Sequence, residues 1–304
     1  MLKPEEYFEP LPAEERNTEF IAMARKSFAR NVWESFSHNR LALAGLICLT
    51  VMLLFALVGP LVSPYPYDGM DAMHRNQGSS LAHWFGTDQM GRDILTRVMY
   101  GTRVSLRVGF ASTALNLLIG VIYGSIAGYI GGRVDMLMMR IVDVIYAVPA
   151  MVYMILLMQI FGSNITSVIL GICVNGWVNM ARIVRSQVMS LKEQEFAVAA
   201  FVVGASRRRI LFRHLLLNSL GAIIVTITLM IPQAIFTEAF LSFIGIGISA
   251  PKASLGTLAQ NAKMLMNVYP MQMVWPMLVI CLIIFSLNFI GEGLETALNP
   301  RGKR

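Results

Sequence analysis

The sequence predicts an all-α polytopic membrane protein with six transmembrane helices and both termini in the cytoplasm. Hydrophobic residues make up 56% of the 304 positions and charged residues only 14%, whereas a soluble domain carries about 25% charged residues. The apolar residues are gathered into six stretches, and crossing a hydrocarbon core takes roughly 20 such residues. Because lipid offers the backbone no hydrogen-bond partners, each stretch is predicted to be a helix.

The predicted spans are flanked by short terminal segments. Residues 1–40 are predicted to form a cytoplasmic tail and a lead-in helix at the membrane surface, with Trp33 and Phe36 on one side of it. Residues 299–304 form a short cytoplasmic tail. Residues 41–298 make up the transmembrane domain, and its six spans are 41–62, 104–129, 141–161, 165–181, 219–243 and 272–291.

The distribution of lysine and arginine sets the predicted orientation, since short cytoplasmic loops carry an excess of both. With the N-terminus inside, 18 of the 25 Lys and Arg residues fall on the cytoplasmic side and 7 on the outer side. Residues 64–103 are then a long external loop, and residues 182–218 are a cytoplasmic loop. The net charge of +7 thus follows from topology and favours anionic membrane lipids. The sequence contains no nucleic-acid-binding motif.

The external loop contains a compact motif of glycines, acids and an arginine. Its first three residues predict a turn with an Asx or N-cap element, and its last three begin a surface helix that runs into the second span. Two interpretations stay open. The charges pair locally on a wet surface, or they serve gating or docking of a partner. The motif residues are Gly86, Thr87, Asp88, Gly91, Arg92 and Asp93.

Glycine and proline within the spans predict features of helix packing. Gly120, Gly124 and Gly128 recur every four residues in the second span, a spacing that lets helix backbones approach closely. We therefore expect a packing seam there. Pro149 and Pro232 lie inside the third and fifth spans and are expected to kink these helices or to free a carbonyl group.

Polar residues at membrane depth are few, and such residues tend to face a bundle interior or a wet path. Two of them interrupt the fourth span and make it the weakest of the six. The single acid of the fifth span is either a pathway or gate residue or an ordinary group at the membrane interface. The candidates for a translocation path or gate are Gln159, Asn175, Asn179, Gln233 and Glu238.

The sequence does not predict an enzyme. It contains no Gly-x-x-x-x-Gly-Lys-Ser/Thr phosphate loop and no His-Glu-x-x-His. Ser206 and His214 resemble part of a serine-protease site, but Ser206 precedes three arginines and no span supplies a base histidine. The cysteines (Cys48, Cys173 and Cys281) lie within spans and lack metal-ligand spacing.

An ion-coupled secondary transporter remains an alternative, although acids in the spans are sparse and no three-span repeat is evident.

The cytoplasmic loop between the fourth and fifth spans is the most informative segment. Residues 195–203 have a helix-forming composition rich in alanine, and Gly204 permits a turn or a close approach that a side chain would block. Ser206 can cap a second short helix over 207–217, whose apolar side opposes its arginines. Two short helices joined by a small-residue elbow make a knob suited to a groove on a partner. The alternative is a basic helix lying on lipid.

Residues 195–218 follow the pattern Glu-x-x-x-Ala-Ala-x-x-x-Gly-Ala-Ser-x-x-x-Ile-x-x-x-His-Leu-Leu-x-Asn. This pattern resembles the coupling loop of binding-protein-dependent ABC importer permeases. It is most similar to the second, C-type permease subunit of oligopeptide and dipeptide importers. Residues 31–301 share the resemblance, and the segments that carry it outside the loop are 85–106, 131–140, 238–247 and 288–301.

The resemblance implies a type I importer permease fold in the bacterial cytoplasmic membrane. It implies a second permease subunit, two ATPase subunits that carry ATP and Mg²⁺, and an extracellular or periplasmic binding protein that delivers peptide. No cofactor or metal is implied for this chain itself. The residues to which the resemblance assigns coupling are Glu195, Ala199, Ala200, Gly204, Ala205, Ser206, Arg207 and His214.

Two positions depart from the family's pattern. Val198 stands where the family usually has glutamate, which removes a charged contact to the ATPase, although Glu195 remains one turn earlier. Leu217 stands where the family usually has proline, which predicts a less abrupt end to the second short helix. The cargo stays open among dipeptides, longer peptides, nickel and glycosides, because specificity in such importers resides mostly in the binding protein.

Overall fold

The computed structural model describes residues 27–249 and 252–298, and their regular structure is helical apart from one isolated bridge between Thr87 and Asp93. A 3₁₀ turn covers Ala72–His74 and a π-helical segment covers Ile210–Leu215. The α-helices are α1 (Phe28–His38), α2 (Arg40–Leu57), α3 (Gly59–Val62), α4 (Ile94–Ile130), α5 (Gly132–Ala147), α6 (Ala150–Phe161), α7 (Ile165–Lys192), α8 (Glu195–Val202), α9 (Arg207–Arg209), α10 (Leu216–Phe243), α11 (Leu255–Lys263) and α12 (Met271–Leu298).

The membrane-spanning pattern agrees with the prediction. Among the described residues, five helical runs are long and apolar enough to cross a membrane, and the bent pair α5–α6 makes a sixth if it is one span. The fourth span, predicted to be the weakest, is a continuous helix of 28 residues. Asn164 begins it by accepting a hydrogen bond from the Ser167 N–H. The predictions for residues 1–26 and 299–304 lie outside the described residues.

The third span is broken rather than gently kinked. The axes of α5 and α6 meet at 78°, and Val148 between them is extended, with ψ 127°. Pro149 accounts for this break, because proline disfavours a helical residue before it and cannot donate a backbone hydrogen bond. At the other end of α5, Gly131 (φ 72°) and Gly132 (φ 57°) interrupt the chain after α4. Helix α5 is therefore bounded by a backbone break on each side.

The second span is longer than predicted. Helix α4 has 37 residues and begins at Ile94, so the last part of the predicted external loop 64–103 is helical. Asp93 caps α4, since its side chain accepts a hydrogen bond from the Thr96 N–H. The predicted surface helix thus continues directly into the span. Helix α10 contains Pro232 and continues past it without a break.

The glycine seam of α4 is a packing seam within this chain, as predicted. Helices α4 and α7 form the most extensive helix pair of the bundle. A Cβ atom placed on Gly120 would lie 2.5 Å from the Cβ of Met180, and one on Gly124 would lie 2.4 Å from the carbonyl oxygen of Ala181. A Cβ on Gly128 would lie 2.7 Å from the carbonyl oxygen of Arg185. Only glycine allows this approach of the two backbones.

The lead-in helix α1 is attached to the bundle rather than lying wholly at its surface. Trp33 is exposed, and its ring stacks on Phe36 with centroids 6.0 Å apart. Phe36 itself is buried, and a Cβ on Gly293 of α12 would lie 3.0 Å from its ring. Of the two aromatic residues predicted to lie at the interface, Phe36 instead anchors α1 to α12.

Candidate functional site

The segment that joins α7 to α10 is built on a buried base. Within α8 the buried residue is Ala197, and its small side chain lets α8 lie close to its neighbours. It belongs to an apolar cluster that includes residues of α7 and of the helix that leads into α10. The other buried members are Met180, Val184, Val188, Ile210, Leu215 and Ile223. Helix α8 is therefore attached to two membrane spans at once.

Helix α8 ends in a Schellman motif centred on Gly204. The Ala205 N–H donates to the carbonyl oxygen of Ala200 at 3.0 Å, and the Gly204 N–H donates to that of Phe201 at 3.0 Å. Gly204 has φ 87°, in the left-handed region that side chains disfavour. A Cβ atom on Gly204 would meet no described atom within 4 Å. Within this chain, glycine is therefore needed for the turn and not for a close approach.

Ser206 caps the helix that follows, as predicted, by accepting a hydrogen bond from the Arg209 N–H at 3.3 Å. The prediction of a separate short helix over 207–217 is wrong. Residues Arg207–Phe243 form one helical run, which is π-wound over Ile210–Leu215. The physical reason is that residues 205–220 contain neither glycine nor proline, so no residue there breaks the helix. The loop is therefore continuous with the fifth span.

The outer side of this loop is apolar and lies beside arginines. Val203 is 88% exposed, Val202 77%, Phe201 65% and Val198 51%; we call these four residues the α8 patch. The neighbouring arginines at 207–209 are exposed and form no ion pair within the described residues. Apolar surface rimmed by polar residues is typical of a protein interface. Val198, at the position where the family usually has glutamate, is part of the patch.

The predicted coupling residues divide into an exposed set and a packed set. Glu195 and Ala199 are exposed on α8, and Ser206 and Arg207 are exposed at the start of the following helix. The others support the loop from within: Ala200 and Ala205 pack partly against the apolar cluster, Gly204 forms the turn, and His214 is half-buried in the π-helical segment.

The predicted pathway residues do not share one environment. Gln159, Asn179 and Gln233 are exposed on α6, α7 and α10, whereas Asn175 is half-buried. The Asn175 Oδ1 atom is buried and has no hydrogen-bond partner among the described residues. Glu238 is 0% exposed. The exposed three remain candidates for a path formed with a partner, whereas Glu238 is enclosed within this chain.

Glu238 joins three helices. The Ser105 hydroxyl of α4 donates to Glu238 Oε2 at 2.7 Å, and the Ser242 hydroxyl of α10 donates to Oε1 at 2.8 Å. The Leu255 N–H at the start of α11 donates to the Ser105 hydroxyl oxygen at 3.4 Å. In this conformation Glu238 links helices near the C-terminal end of α10 and is enclosed by protein.

The two acids of the external motif each organise a set of donors. Asp88 accepts from the Arg92 Nε at 2.7 Å and from the backbone N–H groups of Met90 and Arg92 at 2.8 and 3.0 Å. Asp93 lies 2.9 Å from the His83 Nδ1 and accepts from the Thr96 hydroxyl at 2.8 Å. The predicted local pairing is therefore present, but it is not on a wet surface, since Arg92 and Asp93 are buried.

Both motif glycines have positive φ and lie against backbone. Gly86 has φ 79° and Gly91 has φ 74°. A Cβ on Gly86 would lie 2.4 Å from the Gln77 carbonyl oxygen, and one on Gly91 would lie 1.7 Å from that of Asp71. Asp71 and Gln77, in the preceding segment of the loop, therefore lie directly against the backbone of the motif.

Thr87 fastens that segment to the motif and to α12. Its buried hydroxyl donates to the His74 carbonyl oxygen and accepts from the Gln77 N–H, and Gln272 Nε2 at the start of α12 donates to the Thr87 carbonyl oxygen at 3.0 Å. In the same segment, the His74 ring and the Met73 N–H hydrogen-bond to the Asp71 carboxylate and hold its pKa below the usual range. The predicted external loop is thus a folded cap.

Sequence reasoning missed the ion pairs that tie α5 to α7. Arg185 forms a bidentate pair with Asp135, and the Arg182 Nη2 lies 2.9 Å from the Asp143 Oδ1. The acids are eight residues apart on α5, so they lie on similar sides of the helix. That spacing signals a shared face, although it does not identify the arginines. Among the described residues, no group of three or more His, Cys, Asp or Glu could hold a metal ion.

The fold and the loop geometry define the class of protein, and comparison with a solved structure agrees. The chain resembles a chain of the MetNI methionine ABC transporter in an inward-facing conformation, with a TM-score of 0.53, 16% identity, and coverage of 67% of this chain and 96% of that one. At that identity the likeness concerns the fold alone. The fold is that of the membrane component of a type I ABC importer.

Sequence comparisons identify the family. Residues 120–304 match the family described as binding-protein-dependent transport system inner membrane component, and residues 27–78 match the N-terminal TM domain of oligopeptide transport permease C. The chain is 43% identical to the oligopeptide transport system permease protein OppC of Bacillus subtilis (98% of each chain) and 41% identical to the dipeptide transport system permease protein DppC of the same organism (99% and 94%). It is 40% identical to OppC of Escherichia coli K12 (90% and 93%). The chain therefore belongs to the inner-membrane permeases of binding-protein-dependent transport systems, in the oligopeptide and dipeptide branch.

Proposed function

We propose that this chain is one permease subunit of an ATP-driven importer of peptides. In this proposal a second permease completes the path, two ATPase subunits bind ATP and Mg²⁺ on the cytoplasmic side, and an external binding protein delivers the peptide. Both termini lie inside, which places the 182–218 loop beside the ATPases and the 64–103 loop outside. The names of the relatives favour di- and oligopeptides as cargo.

The observation that carries the proposal is the α8 patch on its rigid base. Its apolar side chains are exposed, the Schellman turn at Gly204 fixes the helix end, and Ala197 anchors α8 to α7 and to the helix that leads into α10. A partner that displaces α8 therefore moves two spans together. A ligand shifts a two-state equilibrium only by binding the two states differently, and the ATPases supply that difference by closing on ATP.

Substitution in the patch tests the proposal. Val203→Asp should reduce the amount of ATPase subunit that co-purifies and should lower peptide uptake, because a carboxylate would have to be buried in the interface. Leu81→Asp is the matched control, since Leu81 is 98% exposed in the external loop. It should leave co-purification unchanged, and both variants should insert normally. Unchanged ATPase association in Val203→Asp would contradict the docking role of the patch.

A second experiment separates ATP-driven import from ion-coupled transport and tests the cargo. The complex that contains this chain is reconstituted into vesicles with its binding protein, and uptake of a labelled dipeptide, a labelled longer peptide and nickel is measured. Uptake should require ATP on the ATPase side and should persist when ion gradients are dissipated. Uptake driven by a proton gradient without the ATPases would contradict the proposal of ATP-driven import. Nickel uptake without peptide uptake would contradict the proposal that the cargo is peptide.

A further inference from the structure

An apolar groove lies between the end of the first span and α4, and it contains one cation that has no partner among the described residues. The groove has a volume of about 460 Å³. One wall comes from the end of α2 and from α3, and the other comes from α4. Its lining is apolar except for two arginines: the residues are Leu53, Ala56, Leu57, Leu61, Arg103, Leu106, Arg107 and Phe110.

The two arginines have different roles. Arg103 donates from Nε to the Ala56 carbonyl oxygen and from Nη2 to that of Leu57, each at 3.0 Å. These bonds satisfy carbonyls that the last turn of α2 leaves free. Arg107 lies one turn further along α4 and is exposed. Within the described residues it forms no side-chain hydrogen bond or ion pair, so its charge is uncompensated.

No acid on the surrounding helices can neutralise Arg107. Residues 35–67 and 94–130, which include α2, α3 and α4, contain neither aspartate nor glutamate. An isolated guanidinium on a membrane-spanning helix is energetically costly, and a long side chain lowers that cost by reaching toward the head groups. Arg103 bonds the carbonyl oxygens of Ala56 and Leu57, whereas the first span runs to Val62, so Arg107 lies roughly two to three turns inside the end of the span.

We propose that this groove is a binding site for an anionic phospholipid, with the lipid phosphate on Arg107 and an acyl chain along the groove. The walls beside the cation are aliphatic and aromatic, and Leu57 and Leu61 are open to the surroundings. An anionic phospholipid supplies both a negative charge for Arg107 and an acyl chain for the apolar walls. The inference concerns the lipid alone and does not depend on the proposed transport function.

Lipid binding to the purified, delipidated complex tests this site. Native mass spectrometry would compare phosphatidylglycerol with phosphatidylcholine of the same acyl chains, and inorganic phosphate would be added as a competitor. The wild-type complex should prefer phosphatidylglycerol, and phosphate alone should not displace it, because it lacks the acyl chain. Equal binding of the two lipids would overturn the proposal. Displacement by phosphate would show a simple anion site and would also overturn it.

Two substitutions and a control locate the site. Arg107→Gln should weaken phosphatidylglycerol about fivefold, since one basic residue near a membrane surface contributes about 1 kcal/mol, and should remove the preference over phosphatidylcholine. Leu61→Trp should weaken both lipids by filling the groove. Arg133→Gln removes an exposed charge beyond the opposite end of α4 and should change nothing. A preference that survives Arg107→Gln, or a cross-link from position 107 to another subunit in place of lipid, would contradict the proposal.

Discussion

The Ala205 N–H donates to the carbonyl oxygen of Ala200 at 3.0 Å, and this bond closes the end of α8 around a glycine with positive φ. The closed turn holds the α8 patch at a fixed angle to the helix that begins at Arg207. That helix continues into the fifth span, so in the proposed importer the geometry of this turn determines how a movement of α8 is transmitted to the span.

Substitution of Gly204 should weaken coupling through the backbone. Gly204→Val should cost about 1–2 kcal/mol, because a side chain disfavours the left-handed region, whereas Gly204→Asn should cost less, since asparagine tolerates it. Limited proteolysis of the loop and ATPase co-purification would measure the effect. Gly221→Val is the control, because a Cβ at Gly221 has its nearest neighbour at 3.9 Å. Equal behaviour of Gly204→Val and Gly204→Asn would argue against a conformational role.

Gly91 should be the least tolerant position of the external cap. In Gly91→Ala the new Cβ would lie 1.7 Å from the Asp71 carbonyl oxygen, and the residue would keep an unfavourable positive φ. The cap should open and become sensitive to protease added from outside. Gly78→Ala is the matched control, because a Cβ there meets no described atom within 4 Å. Protease resistance equal to that of the control would show that the cap does not depend on this contact.

Glu238 should contribute to stability through its serine partners. Glu238→Ala removes the acceptor of two buried hydroxyl groups and leaves a cavity, and we expect a loss of about 2–4 kcal/mol. Glu238→Gln keeps the shape and an acceptor oxygen, so it should cost less than half of that. Denaturant unfolding in detergent would measure both, with the exposed Gln233→Ala as control. A Glu238→Ala protein as stable as the control would contradict the helix-joining role.

The two ion pairs between α5 and α7 should differ in strength. The side chains of Arg185 and Asp135 are 30% and 11% exposed, whereas those of Arg182 and Asp143 are 39% and 55% exposed. A double-mutant cycle should give about 1–2 kcal/mol for the bidentate, partly buried pair and less than about 1 kcal/mol for the exposed pair. The reverse order would mean that burial does not decide the strength of these pairs.

The sequence predicted the spans well because apolar length is a local property. The glycine seam of α4 and the cap at Ser206 were predictable for the same reason: each follows from a few neighbouring residues. The long-range partners were not predictable. Nothing near Glu238 in sequence indicates that Ser105 of α4 would donate to it, and nothing near Asp135 points to Arg185.

The loop prediction shows where a local pattern misleads. The capping serine and the amphipathic pattern over 207–217 correctly predicted a helix, but the pattern contains no stop signal before the fifth span. Leu217, where the family usually has proline, is the local sign that the helix could continue. For the predicted external motif, one of the two open interpretations placed its charges on a wet surface, whereas Arg92 and Asp93 are buried. Burial there depends on the segment around Thr87, which folds back over the motif.

In the proposed importer the α8 patch is the surface of this chain that contacts an ATPase subunit. Photo-cross-linking from position 203 in the intact complex measures that contact, with position 81 of the predicted external loop as control. Position 203 should form a nucleotide-sensitive adduct with an ATPase subunit that contains a phosphate loop, and position 81 should not. Cross-linking of position 203 only to lipid, with or without ATP, would show that the α8 patch does not contact the ATPase.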